Sequence, residues 1–188
     1  MRDGAGVEVT VCGREGFYGL QAALGDGTSS TEAMVQIAGS AYGLRSADFL
    51  ASLATDSGLG ERVLRYAQAV IEAVSQFSSC NRLHPIDERC ARWLLMAHDR
   101  VDGDEIFLTH EFVATMLGVR RPGVSLAVGV LERAGLIELH RARIVVSDRK
   151  GLEDASCECY EVANDAFERL LGLKLRKGSI HAAQSPPA

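Results

Sequence analysis

The period with which apolar and polar positions alternate changes along the chain. Residues 7–11 alternate strictly, which is the period of a half-buried β-strand, and a second strand is predicted over residues 33–44. Apolar residues then recur every three or four positions over residues 59–79, 86–99, 110–117 and 122–134, the period of amphipathic helices. The pattern predicts a small antiparallel β unit followed by a helical region.

The helix predicted over residues 59–79 has a narrow, heptad-like apolar stripe. Such a stripe is typical of a coiled-coil seam, so we expect a parallel dimer helix. The alternative is a long core helix packed under the β unit. The predicted dimer interface consists of Leu59, Val63, Tyr66, Val70, Val74 and Phe77.

Two short helices with a glycine-containing turn between them follow further along the chain. Thr109 can cap a helix running from His110 to Leu117, Gly118 can end it in the left-handed conformation, and Pro122 opens the next helix. This is the layout of a helix-turn-helix. The second helix is the predicted recognition helix, whose N-terminal residues would reach base edges in the major groove.

The predicted DNA contacts lie at the start of that helix and on the hairpin after it. Arginine pairs bidentately with guanine, and residues 136–147 alternate like a β-hairpin that could act as a wing beside the phosphates. The alternative is that these cations are solvated surface residues. The candidate DNA-binding residues are Thr109, His110, Arg120, Arg121, Gly123, Ser125, Arg141 and Arg143.

The charge of the chain is unevenly distributed. The protein has 188 residues, 47% of them hydrophobic, and a formal net charge of −5. Residues 118–150 nevertheless carry seven Lys and Arg against three acidic residues, which is compatible with binding to phosphates. We see no membrane segment and no export signal, so we expect a cytoplasmic protein.

Catalytic and metal-binding motifs are weak in this sequence. The five histidines stand in no catalytic motif, so no enzyme activity and no cofactor are expected. Among the five cysteines only Cys157 and Cys159 are closely spaced, without a second pair or a nearby histidine. We expect reduced thiols that pack in the protein, and no metal site.

Residues 83–160 resemble the C-terminal domain of Crp/Fnr-type transcription regulators. The resemblance is carried by the strings ERCARWLLMAHDR, LTHEFVATMLGVRRPGVSLAVGVLERAGLI and RARIVVSDRKGLE. It implies that the helix over residues 59–79 is the dimer helix, that Arg121 reads guanine, and that Thr109 and His110 meet phosphate. Pro122 and Leu126 replace base-reading residues of the family, so the operator sequence does not transfer.

Residues 13–44 resemble the second half of the family's cyclic-nucleotide-binding β-roll. Leu20 replaces the expected glutamate after Gly19, and no Lys or Arg lies between Arg14 and Arg45. Without a counter-charge, cyclic AMP is not expected to bind. The cysteine cluster of the oxygen-sensing branch is also missing near the N-terminus. Absence of the first strands suggests an upstream start codon or a shortened paralogue.

The predicted fold class is α+β, with a partial antiparallel β-roll over 1–57, a dimerisation helix over 58–81, a winged helix-turn-helix over 82–173 and a disordered tail over 174–188. The predicted function is transcription regulation by a homodimer that binds a palindromic operator in double-stranded DNA without cyclic AMP. RNA polymerase is a further candidate partner. The alternative is a winged-helix interaction module that has lost DNA binding.

Overall fold

A computed structural model describes residues 6–175. Within them the chain forms eight helices and three short strands. In chain order these are α1 (Gln21–Leu24), α2 (Ser46–Thr55), α3 (Ser57–Leu83), α4 (Ile86–His98), β1 (Glu105–Ile106), α5 (His110–Leu117), α6 (Arg121–Arg133), β2 (Ile137–His140), β3 (Arg143–Val146), α7 (Arg149–Asp154) and α8 (Cys159–Leu171). This mixed fold confirms the predicted α+β class with a winged helix-turn-helix.

Helix α4 is the centre of the C-terminal part of the protein. It packs against α6, α7, α8 and β1, and Cys90, Leu94 and Leu95 on it are fully buried. Apolar side chains from α5, α6 and the sheet complete one continuous core. Burial of this kind stabilises a fold by roughly 1.5 to 3 kcal/mol for each large apolar side chain.

The three strands form one antiparallel sheet in the order β1, β3, β2. Ile137 pairs with Val146 and Ile106 pairs with Ile144, and all four side chains are buried. The β2–β3 hairpin occupies the place predicted for the wing. Strand β1 lies on the other side of β3, at one edge of the sheet.

Helix α3 packs along α8, which changes the interpretation of its apolar stripe. Val63, Tyr66 and Phe77 are buried inside the chain itself, with 5 to 7% of their surface exposed. Their assignment to a dimer interface is therefore corrected, because the same chain covers them: the rings of Phe17 and Phe167 pack on Tyr66, and the guanidinium of Arg92 lies over the Phe77 ring. The remaining members of the predicted seam, Leu59, Val70 and Val74, are only half-buried.

The strands predicted over residues 7–11 and 33–44 are not formed, so the prediction of a partial β-roll is wrong for the described part of the chain. Two or three strands without neighbours cannot cover both faces of a sheet. The segment is irregular instead, with one short helix, α1, and many exposed apolar residues such as Val35 and Tyr42.

A few polar contacts attach this N-terminal segment to the rest of the protein. The indole nitrogen of Trp93 donates to both carboxylate oxygens of Glu8, at 3.1 and 3.2 Å. Burial raises the pKa of Glu8, against the opposing effect of this hydrogen bond and one from Gln36. Arg100 forms an ion pair with Glu15 at 2.5 Å, and both side chains are largely buried.

Helix α8 ends at Leu171, where Gly172 adopts a left-handed conformation with φ of 69°. The tail predicted over 174–188 lies outside the described residues except for its first two positions. Across residues 6–175, every helix is too short or too polar to span a membrane.

Candidate nucleic-acid interface

Helix α5 begins and ends where its sequence predicts. The Thr109 hydroxyl accepts a hydrogen bond from the Phe112 amide at 3.2 Å, which satisfies one of the free amides of the first turn. Gly118 ends the helix with φ of 65°, a conformation that residues other than glycine adopt only at a cost. The chain then needs only two residues to reach the next helix.

Helix α6 starts with two exposed arginines. Arg120 is the capping residue, Arg121 is the first helical residue, and Pro122 lies in the first turn, where its missing amide hydrogen costs nothing. Two-thirds of the Arg121 side chain is exposed, and its nearest carboxylate is that of Glu111, at 3.9 Å. Such a long, exposed contact holds the guanidinium only weakly.

The two faces of α6 differ sharply. Its inner face contributes Val124 and Val128, both fully buried, to the core. Its outer face presents Ser125, whose hydroxyl lies 3.2 Å from Nδ1 of His110, and Leu126, which is 73% exposed. The packing of α5 against α6 therefore brings His110 and Ser125 together on the surface that also carries Arg120 and Arg121.

The wing has a two-residue tip formed by Arg141 and Ala142, between the paired residues His140 and Arg143. Arg141 is exposed, whereas Arg143 forms an ion pair with Glu105 at 2.9 Å across the sheet. Ala142 adopts φ of 57°, a left-handed conformation. The wing tip thus offers one exposed cation and a second that is already paired.

Arg149, which contributes to the basic character of residues 118–150, does not belong to this surface. It contacts Asp99 at 2.7 Å, the Tyr160 hydroxyl at 2.7 Å and Nδ1 of His98 at 2.8 Å. Burial works against the charge on Arg149, but Asp99 and Tyr160 outweigh it and raise the pKa of the guanidinium. The network fixes α7 and α8 to α4.

A cluster of four metal-ligating side chains lies at a separate place. Cys80 lies in the last turn of α3 and His84 caps that helix. Cys159 is the first residue of α8, and Cys157 lies two residues before it. Their ligand atoms all lie within 4.8 Å of one another. The hydrogen bond between Cys80 and Cys157 lowers the pKa of the Cys80 thiol.

Sequence reasoning missed this cluster because it looked for a histidine close to Cys157 and Cys159 along the chain. Tertiary packing supplies that histidine from a position 75 residues earlier than Cys159. The available signal was the spacing of Cys80 and His84, four residues apart, which places both on one face of a helix. The reasoning also missed Glu111 beside Arg121.

Comparison with known proteins agrees with this architecture. Residues 88–155 match the family described as the Crp-like helix-turn-helix domain. Among solved structures the fold is similar to FixK2 from Bradyrhizobium japonicum, with a TM-score of 0.55 and 16% identity, over 61% of this chain and 60% of that chain. A comparison with curated proteins finds no match.

TTHB099, a CRP-family transcriptional regulator from Thermus thermophilus, is 25% identical, with a TM-score of 0.44, over 50% of this chain and 51% of that chain. This chain thus spans between half and two-thirds of the length of these proteins. The family match thus covers a Crp-like helix-turn-helix domain at residues 88–155, and the similarity to FixK2 is one of fold.

Proposed function

We propose that this protein regulates transcription as a homodimer that inserts the N-terminal end of α6 into the major groove of operator DNA. The observation that carries the proposal is the pair of exposed arginines, Arg120 and Arg121, at the start of a helix whose inner face is fixed in the core. A helix N-terminus adds a favourable field for the phosphates on either side of the groove.

Each exposed group has a role that follows from its chemistry. Arg121 hydrogen-bonds the O6 and N7 atoms of a guanine, the pairing that arginine makes most specifically. Thr109, His110 and Ser125 contact phosphate or a base edge. Gly123 allows the helix to approach the DNA closely, and Leu126 packs on a thymine methyl group.

The wing contacts the DNA backbone through Arg141 and Arg143. Arg143 must first be released from its ion pair with Glu105.

The dimer forms through a face of α3 that lies beside the predicted seam. Leu64 and Ile71 are 63% and 61% exposed and lie seven residues apart, the repeat of a coiled coil. Half-buried Val74 extends the same stripe. Crp/Fnr regulators are typically dimers, and a two-fold pair would place two copies of α6 about 34 Å apart on one side of the duplex.

Cyclic AMP has no part in this proposal. No Lys or Arg lies between Arg14 and Arg45 to neutralise a cyclic phosphate. The described part of that segment also lacks the β-strands of a nucleotide-binding roll.

The test is selection of binding sites from a random duplex library, followed by titration of the selected duplex at several salt concentrations. We expect a palindromic site, an affinity that falls steeply with salt, and a loss of about 1 to 3 kcal/mol for Arg121→Ala with relaxed choice at one base pair.

Arg133→Ala is the matched control, because Arg133 is exposed at the opposite end of α6, about 18 Å from Arg121 by helix geometry. It should leave base choice unchanged. Equal binding of all duplexes by the native chain and by Arg121→Ala would contradict the proposal and favour the alternative, a protein-interaction module.

For the dimer, Ile71→Asp should convert the protein to a monomer in analytical ultracentrifugation, because a carboxylate at a coiled-coil seam cannot be buried without a partner. Ser79→Asp, at an exposed position two turns further along α3 and about 80° around the helix from Ile71, is the control. A dimer that survives Ile71→Asp would exclude this face.

A further inference from the structure

Three thiols and one imidazole meet where the end of α3 lies against the start of α8. We propose that Cys80, His84, Cys157 and Cys159 bind one Zn²⁺ ion, which fastens these two helices together. The inference is independent of the proposed DNA binding, since it concerns neither α6 nor the wing.

The spacing of the ligand atoms fits one tetrahedral ion. With Zn–S of about 2.3 Å and Zn–N of about 2.0 Å, two sulfurs on a tetrahedral ion are about 3.8 Å apart, and a sulfur and a nitrogen about 3.5 Å apart. The sulfurs of Cys80 and Cys157 are 3.5 Å apart, and Cys159 Sγ is 3.4 Å from Nδ1 of His84. These two distances are within about 0.3 Å of the tetrahedral values, and all four ligand atoms lie within 4.8 Å of one another.

The groups around the ligands are those that a zinc site uses. With Nδ1 of His84 turned towards the thiols, its other ring nitrogen, Nε2, lies 3.3 Å from the carboxylate of Glu158. A carboxylate in this place orients a ligating histidine and increases its basicity. The Gln76 amide donates to the Cys159 sulfur at 3.1 Å. An N–H donor of this kind stabilises a thiolate.

Charge balance gives independent support. Three thiolates, a neutral imidazole and Zn²⁺ carry a net charge of −1, and buried anions need cations nearby. Arg89 and Arg92 on α4 are 8% and 3% exposed, and neither forms an ion pair with a carboxylate among residues 6–175. Arg89 interacts electrostatically with Cys80 and Cys157, and Arg92 with Cys80. A loaded site would add a negative charge near both arginines; Arg92 also interacts with the carboxylate of Glu8 and lies over the ring of Phe77.

The position of the site explains why the protein would need an ion there. The three cysteines form a small buried cluster separate from the main apolar core. Thiols bury little apolar area, so they alone hold the start of α8 to α3 weakly. A metal ion that joins ligands 77 residues apart in sequence would close a long loop of the chain.

The first experiment measures metal content in the full-length protein purified under reducing conditions, by inductively coupled plasma mass spectrometry. We expect one zinc per chain, falling at least tenfold in Cys159→Ser and in His84→Ala. Cys90→Ala is the control for loss of a buried thiol, and Cys12→Ser for loss of an exposed one, because both lie outside the cluster. Both controls should keep one zinc per chain.

A second measurement keeps the test decisive if the ligand variants do not fold. X-ray absorption at the zinc edge of the native protein should give three sulfurs and one nitrogen around the ion. Glu158→Gln, which keeps all four ligands, should bind zinc about 10-fold more weakly in competition with a chelator, the lower end of the range for an outer carboxylate.

Each other result overturns the proposal. Four results would contradict the zinc site. They are native protein without stoichiometric metal, zinc held by another ligand set, iron bound in place of zinc, and a disulfide between Cys80 and Cys157 after purification under reducing conditions. None of these measurements involves DNA. Failure of the zinc proposal is therefore distinguishable from failure of the proposed function.

Discussion

Two groups of arginines from the same basic segment have opposite environments. Arg120 and Arg121 stand exposed at the start of α6, with Glu111 as a distant neighbour of Arg121 at 3.9 Å. Arg149 lies within the protein, against Asp99 at 2.7 Å. The sequence counts all three as equal positive charges. The fold uses Arg149 to hold helices together and leaves the other two available to a ligand.

The comparison shows that charge in a sequence segment is not the same as charge on a surface. Lys150 is also engaged, with Asp154 at 2.6 Å, and Arg143 with Glu105. The exposed cations that remain are Arg120 and Arg121 at the start of α6 and Arg141 at the wing tip, with Arg133 at the opposite end of α6. A protein with a net charge of −5 can bind DNA if these few cations are placed together.

The largest expected effect is on stability, from Arg149→Ala. Removing the guanidinium breaks its 2.7 Å ion pair with the buried carboxylate of Asp99, which should lower the free energy of unfolding by about 3 kcal/mol. Urea denaturation followed by circular dichroism measures it. Lys150→Ala, the exposed neighbour, should change the stability by less than about 0.5 kcal/mol. Equal effects of the two variants would contradict the distinction between buried and exposed cations.

A smaller effect is expected on DNA affinity from Arg141→Ala. The variant should weaken binding to every duplex alike and reduce the slope of log affinity against log salt by about 0.9, as expected for one lost phosphate contact. Fluorescence anisotropy at a series of salt concentrations measures both quantities. Arg143→Ala should have a smaller effect, because its charge is already paired with Glu105. An unchanged slope for Arg141→Ala would remove the wing tip from the interface.

The smallest expected effect is from Glu111→Gln, which removes the carboxylate beside Arg121. DNA affinity should rise, by less than about 1 kcal/mol, because the lost contact is long and exposed. The same anisotropy titration detects it, with Glu132→Gln at the far end of α6 as the control. Weaker binding by Glu111→Gln would mean that this carboxylate takes part in base recognition.

The winged helix could be predicted from the sequence because its signals are local. Thr109, Gly118 and Pro122 each define a helix boundary by their own conformational preferences, and the structure has the helices at those places. The hairpin of β2 and β3 could be predicted because two stretches of alternating apolar and polar residues flank a short loop. Local signals do not depend on distant parts of the chain.

The other predictions depend on contacts between parts of the chain that are far apart in sequence, and they were less accurate. Alternation over residues 7–11 leads to a strand only if neighbouring strands pair with it. Residues 6–44 form no strands in the structure. The stripe on α3 was correctly identified as apolar, but the sequence does not say whether α8 or a second chain covers it. The Cys/His cluster was missed for the same reason, since His84 and Cys159 meet only after folding.

The most direct test of the central claim combines Arg121→Ala with a selected duplex in which the contacted guanine is replaced by 7-deazaguanine. The replacement removes N7, one of the two acceptors that Arg121 is proposed to use. If Arg121 reads this base, the two changes will not be additive, and the base change will cost the native protein more than it costs Arg121→Ala, by about 1 kcal/mol or more. Fully additive losses at every guanine of the site would contradict insertion of the Arg121 end of α6 into the groove.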